Sequence, residues 1–233
     1  MTGKYNIDIK RTDILLQNEE KIQVYYLNIN EIKSKCTFEA YYECMPNIRK
    51  KKVDSFLYFN DRCRALCSGI LLMEALREKN LLYIDENFEK GRYGKPYFQC
   101  AYNQYFNISH SGEWVMAVFA NTEIGCDIEH IEKCDSDIVK SYFTDLEREY
   151  INKFSGDMYH YASYTIWTLK ESFLKAIGVG LNKSMQTFSV VNREGAIKKL
   201  IQSDEKEYCL FTKNNMLYSV SICVEINEKK GKK

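Results

Sequence analysis

The chain has 233 residues, 45% hydrophobic and 28% charged, with 33 Lys and Arg against 32 Asp and Glu. That length buries a real core as one large domain or two subdomains, the composition excludes disordered and fibrous classes, and a net charge of +1 gives no reason for general nucleic-acid binding. Nine cysteines without a C-x-x-C pair read as reduced thiols. With no apolar leader in MTGKYNIDIK and no run of about eighteen apolar residues, the expectation is a soluble cytoplasmic protein that does not enter a membrane.

The first predicted element is a strand, IQVYYLNI at 22–29. After Met45-Pro46, apolar residues from Val53 to Leu76 recur at helical spacing, and Asn60-Asp61 interrupts the run with an N-cap signal, predicting two consecutive helices. Gly91 and Gly94-Lys95-Pro96 form a turn. Short strands follow at PYFQCAY, YFNIS, WVMAVFA and EIGCDIE. Thr144-Asp145-Leu146-Glu147 has the form of a capping box and opens a helix; a loop near Gly156 leads to a longer one that ends at Gly178-Val179-Gly180. FSVV, EYCLF and LYSVSICVEI alternate like antiparallel strands, and the tail NEKKGKK reads as frayed chain. The class is α+β. Both halves carry strands with one major helix, but no literal repeat is present.

GCDIE at 125–129 concentrates the chemistry. Side chains alternate along a strand, so Asp127 and Glu129 share one face while Cys126 and Ile128 take the other. Two carboxylates side by side against a sheet repel unless a cation lies between them; the alternative is a solvated strand face. In the long helix, Trp167, Glu171, Leu174 and Lys175 share one side. Glu171 lies four residues before Lys175, which suits a helical ion pair, or else Glu171 joins Asp127 and Glu129 as a third hard oxygen ligand of a divalent cation. Asn107-Ile108-Ser109-His110-Ser111-Gly112 lacks a nucleophile elbow but offers a hydroxyl, an imidazole and a glycine to an anion; a polar turn would look the same. Lys95 is a point charge on a stiff turn. Arg49-Lys50-Lys51-Lys52 and Arg64 flank the first helices, where lysine runs are also ordinary solvated faces. No P-loop is present.

Together GKP at 94–96, FNISHSGEWV at 106–115, GCDIE at 125–129, FTDLEREYI at 143–151 and WTLKESFLKAIGVGL at 167–181 resemble the 4'-phosphopantetheinyl transferases of the Sfp type, in the family's order. The N-terminal third matches more loosely, through the basic stretch after Pro46 and through Phe56, Asp61 and Arg64. The resemblance implies a monomer of two similar halves in a pseudo-twofold arrangement, each a small mostly antiparallel sheet on a long helix. It divides the chain into an N-terminal subdomain, 1–111, and a C-terminal subdomain with the metal site, 112–233. Coenzyme A would lie in the cleft. Its phosphopantetheine arm would pass to a serine hydroxyl of an apo acyl or peptidyl carrier protein of fatty-acid, polyketide or nonribosomal-peptide synthesis, releasing adenosine 3',5'-bisphosphate.

By position in the motifs, Asp127, Glu129 and Glu171 would hold magnesium or manganese, with Glu171 or a metal-bound water as the base. Lys170 and Lys175 would fall near the pyrophosphate as catalytic cations. Lys95, Ser109 and His110 would contact nucleotide phosphates, Arg49 and Lys52 the 3'-phosphate, and Arg64 would belong to the coenzyme A site. Residues 138–154, with Tyr142, Phe143, Tyr150 and Ile151, would face the carrier or pack in the core. Two rivals remain at this stage: another magnesium-dependent enzyme of nucleotide diphosphates, and a noncatalytic binding module in which Glu171–Lys175 is only a helix pair.

Overall fold

The alternation in WVMAVFA sets the layering of the chain. In the computed structural model, which describes residues 7–16, 20–84, 88–98 and 104–226, this segment is strand β6 (Trp114–Ala120). Its Val115, Ala117 and Phe119 pack beneath helix α3 (Phe59–Arg77), while Met116, Val118 and Ala120 turn to the opposite face. β6 lies in an antiparallel sheet of order β1-β2-β6-β5, with β1 (Lys10–Leu15), β2 (Lys21–Asn28) and β5 (Tyr105–Ser111). Helices α1 (Lys35–Glu43) and α2 (Asn47–Asp54) lead into α3. A two-stranded hairpin, β3 (Phe88–Lys90) and β4 (Pro96–Phe98), stands beside this half.

The second sheet has the order β7-β10-β9-β8, from β7 (Ile124–His130), β10 (Tyr218–Ile226), β9 (Lys206–Thr212) and β8 (Leu200–Ser203). After the short helices α4 (Ser136–Tyr142) and α5 (Asp145–Ile151), the long α6 (Asp157–Ile177) lies across β7 and β10. Ile22, Val24, Met116 and Val118 of the first sheet join Cys126, Ile128, Ile222 and Val224 of the second in one buried cluster. The layers are therefore α3, sheet, sheet, α6. Each half is a four-stranded antiparallel sheet with a long helix, as the α+β class requires, although the two strand orders differ.

Several local expectations change. α3 starts at Phe59 with Tyr58 as its cap and no side-chain cap bond, so Asn60-Asp61 is already inside the helix. FSVV forms no strand; Val191 makes only an isolated bridge to Ile197. α1, α4, β1, β3 and β8 are additional, and α1 is announced by Ser34, whose Oγ accepts from Thr37 N. The Thr144–Glu147 capping box is present. The end of PYFQCAY and the tail NEKKGKK lie outside the described residues. A boundary at 111/112 falls inside the β5–β6 hairpin, where Ser111 pairs with Trp114; the first sheet ends at Ala120 and the second begins at Ile124. Among the described residues no helix is long and apolar enough to cross a membrane.

Candidate active site

β5 and β7 run side by side where the halves meet, joined by side chains at every second residue. Asn107 Oδ1 accepts from Cys126 N at 3.0 Å, Ser109 Oγ donates to Asp127 Oδ1 at 2.7 Å, and Ser111 Oγ donates to Glu129 Oε2 at 2.7 Å while accepting from His130 N at 3.0 Å. The period of two in N-I-S-H-S thus meets the period of two in C-D-I-E. Asp127 and Glu129 share the face toward α6, and Cys126 and Ile128 lie in the intersheet core.

Gly125 lets the helix settle there. A Cβ on it would stand 2.1 Å from Ser172 O and 2.3 Å from Ala176 N, both backbone atoms of α6. Thr168 completes the close contact, its Oγ1 lying 2.9 Å from Ser219 Oγ and 2.8 Å from Ser221 Oγ on β10. Seated so, α6 brings Lys175 Nζ to 2.6 Å from Asp127 Oδ1 and 3.1 Å from Ser109 Oγ. Lys175 therefore pairs with Asp127 across the seam, in place of the intrahelical pair with Glu171.

The electrostatics record a surplus of negative charge. Burial, then Asp127, pushes Glu129 up to about 7, with Glu171 acting in the same direction. Glu171 is also raised, by burial and then by Asp127 against the opposing pull of Lys175. Burial works against the Lys175 ammonium, yet Asp127 holds its pKa above the ordinary lysine value. Asp127 is 2% exposed and its Oδ2 is buried with no hydrogen-bond partner among the described residues. Such an atom points to a missing cation or donor. As the side chains stand, however, no three His, Cys, Asp or Glu residues among those described form a group that could hold a metal, and Lys175 is the cation on Asp127. The donor set, three carboxylates with one orphaned oxygen, fits a hard divalent ion in chemistry.

A basic rim lies beside the acids. Arg64, on α3, donates to Gly112 O at 2.7 Å and to Asp61 Oδ1 at 2.5 Å, holding the β5–β6 turn. His110 opens to solvent on one side, but the protein around it, and then the Arg64 guanidinium, keep its pKa below the usual histidine value; Lys175 acts in the same sense. Ser109, His110, Arg64, Asp127 and Lys175 are thus neighbours. Arg49 and Lys52 stand further back on α2: Arg49 Nε donates to Tyr83 Oη at 2.9 Å, and exposed Lys52 lies over the Phe56 ring at 4.7 Å.

Two expected phosphate contacts are placed elsewhere. Lys95 Nζ donates to Glu123 Oε2 at 2.6 Å, Ala176 O at 2.9 Å and Ile124 O at 3.1 Å, so its three donors are committed to the end of α6 and the start of β7. Lys170 is fully buried, its ammonium 2.7 Å from both Glu147 carboxylate oxygens and from Phe188 O. It points into the α5–α6 core, because position 170 lies about 140° around the helix from 175. Lys170 is not one of the cations beside Asp127. The sequence reading missed Ser111 and Glu147: the first was legible from the period of β5, the second was hidden because its carboxylate already had a use in the capping box.

Comparison with known proteins bears on this geometry. The profile of the 4'-phosphopantetheinyl transferase superfamily matches residues 123–223, and that of the 4'-phosphopantetheinyl transferase N-terminal region matches residues 32–122. The 4'-phosphopantetheinyl transferase Sfp of Bacillus subtilis (strain 168) is 30% identical over 178 residues, 75% of this chain and 80% of that protein. The chain belongs to the 4'-phosphopantetheinyl transferase superfamily. Other transferases of the family match over a shorter stretch: gsp of Aneurinibacillus migulanus is 34% identical over 61% of each chain, and ffp of Bacillus subtilis is 33% identical over 61% of this chain and 64% of its own. The chain thus spans a little under two thirds of the length of those two transferases. A holo-(acyl-carrier-protein) synthase from Bacillus anthracis str. Ames in complex with CoA (3',5'-ADP) is also similar, with TM-score 0.40 and 25% identity over 45% of this chain and 95% of its own.

Proposed function

We propose that this chain transfers the phosphopantetheine arm of coenzyme A to a serine hydroxyl of an apo carrier protein. The serine oxygen forms a bond to the phosphorus that carries pantetheine, the bond from that phosphorus to the bridging oxygen breaks, and adenosine 3',5'-bisphosphate leaves. The serine proton passes to a base. The observation that carries the reading is the seam itself, where Ser109 and Lys175 converge on Asp127 with Glu129 and Glu171 within electrostatic reach.

Displacement at phosphorus needs its negative charge balanced and its attacking oxygen aligned more than it needs covalent help. Lys175 and Arg64 supply the positive side of the cleft, His110 adds an uncharged imidazole that can donate one hydrogen bond, and Arg49 and Lys52 extend the basic rim toward the 3'-phosphate. Asp127, Glu129 and Glu171 would hold a magnesium or manganese ion, which when bound neutralises charge on the pyrophosphate. Burial raises the proton affinity of Glu171 while a bound cation would lower it, so the serine proton would pass to Glu171 or to a water held beside the ion. In this reading Lys95 is a strap that carries the β3–β4 turn to the end of α6, and the divide between the halves lies at 121–123.

We further place coenzyme A between the halves of a monomer whose pseudo-twofold arrangement rests on the shared sheet-plus-helix layering, and the carrier against 138–154. The free thiols among the described cysteines suit a cytoplasmic setting. Intact-mass spectrometry tests the whole reading. Incubation with coenzyme A, magnesium and apo carriers of both fatty-acid and peptide-synthetase type should add one phosphopantetheine to at least one carrier. Unmodified carriers throughout would overturn it.

A further inference from the structure

The Glu147–Lys170 pair lies outside the acidic seam, yet its ammonium and both carboxylate oxygens are engaged. Both side chains are 0% exposed. Glu147 Oε1 accepts from Lys170 and from Val190 N at 2.9 Å, Oε2 accepts from Lys170 and from Thr144 N at 2.9 Å, and Lys170 also donates to Phe188 O. One carboxylate thereby ties the start of α5, the middle of α6 and the 188–190 segment. A buried ion pair is a poor device for stability alone, since apolar residues of similar volume often serve as well or better. It fixes geometry instead, because directed donors admit one register where an apolar contact admits several.

The geometry it fixes leads to the site. α5 follows α4, whose end is keyed to α6 by Tyr142 edge-on to Trp167 at 5.5 Å and Phe143 tilted against the same ring at 6.5 Å. Between α4 and α6 runs a groove of about 270 Å³ whose lining includes Ile138, Phe143, Tyr164, Trp167 and Glu129. One wall of that groove belongs to the α4–α5 segment and the other to α6, one turn from Glu171. We infer that Glu147 and Lys170 are positioning residues for the acceptor: their buried pair sets the α4–α5 wall against α6 so that the carrier serine is presented to Glu129 and Glu171. The inference rests on the transferase reading, and it assigns Lys170 to the acceptor side of the reaction, away from the pyrophosphate.

The test is the double variant Glu147→Leu with Lys170→Met, which removes both charges together and leaves neither unpaired. Wild-type transfer to an apo carrier is measured alongside; its absence would sink the transferase reading itself. With wild type active, the double variant should stay folded with coenzyme A affinity within twofold and a melting temperature lowered by about 5–15 °C, since Thr144 N and Val190 N lose their acceptor, while kcat/KM for the carrier falls at least tenfold, mainly through KM. Unchanged carrier kinetics, or parallel losses for carrier and coenzyme A, would overturn the inference. Glu147→Gln changes no volume but leaves the Lys170 ammonium buried without its counter-charge, so it should melt lower than the double variant and still show the carrier-selective loss. If both variants fail to fold, the pair is a stability element only and the positioning role is wrong.

Discussion

Gly125→Ala offers a test in which stability and chemistry are expected to fail together for one geometric reason. The added Cβ would meet Ser172 O at 2.1 Å, Ala176 N at 2.3 Å and Lys175 C at 2.8 Å. These are backbone atoms and cannot rotate aside. To restore ordinary contact near 3.4 Å, α6 must retreat from β7 by about 1 Å or the strand must buckle. Overpacking of this kind costs roughly 3 kcal/mol or somewhat more, which for a chain of this size lowers the melting temperature by about 6–12 °C. The same retreat stretches the 2.6 Å bond from Lys175 to Asp127 and moves Glu171 with it. A misplacement of about 1 Å in a catalytic array costs on the order of a hundredfold in rate. The assay pairs thermal denaturation with carrier modification followed by mass. Gly91→Ala is the control, since its Cβ would find only Lys95 O at 3.5 Å and should be near neutral in both. If Gly125→Ala melts within 2 °C of wild type, on the order of half a kcal/mol, and transfers within twofold, then the helix does not sit on the strand as described.

Other outcomes follow from the same seam. Asp127→Ala and Glu171→Ala should each reduce transfer by about a thousandfold or more; Asp127→Ala also leaves Lys175 with Ser109 alone and should cost about 1–2 kcal/mol of stability, both read by kinetics and melting on one preparation. Retained transfer in either variant removes that residue from the catalytic set. Glu129 is raised from 4.5 to about 7 on folding, so the folded chain binds its proton more tightly than the unfolded one. Its contribution to stability therefore falls as pH climbs through that window, by up to about 3 kcal/mol. Calorimetry in chelator between pH 4.5 and 7 should show a steeper loss for wild type than for Glu129→Gln, and magnesium should shrink the difference; identical slopes would count against the buried carboxylate. Arg64→Ala should raise the His110 pKa toward the ordinary value, measured by NMR titration. Lys52→Ala should weaken coenzyme A more than its 3'-dephospho analogue, and equal losses would place Lys52 away from the 3'-phosphate.

The elements that the sequence disclosed are those whose periodicity is reinforced by chemistry at their ends. α6 has an apolar face and a glycine at each end, Gly156 before it and Gly178 in the left-handed conformation after it. α5 has its capping box, and β5, β6 and β7 alternate or run apolar through the seam. The elements it concealed are short or lack such marks. β1 is an edge strand with five of six residues exposed, and β8 has only four residues, held by pairing with β9. Nothing local distinguishes either from loop, because the free energy that orders them is supplied by the neighbouring strand.

The site divides along a similar line, and Lys170 shows why. Sequence spacing places residues on a helix face, which was enough to put Lys175 and Glu171 over a strand whose Asp127 and Glu129 share one side. It does not say what waits on the remaining faces. Lys170 and Lys175 are both lysines within two turns of one helix, yet one is fully buried against Glu147 and the other bridges Asp127 and Ser109. The difference depends on α5, twenty-three residues earlier, packing on one flank of α6 while β7 packs on another. A carboxylate already used in a capping box gives no sign in the sequence that its two oxygens also reach a second helix. Only the tertiary placement distinguishes the lysine that bridges Asp127 and Ser109 from the lysine buried against Glu147, and measuring coenzyme A and carrier kinetics separately, variant by variant, tests whether the two act on different substrates.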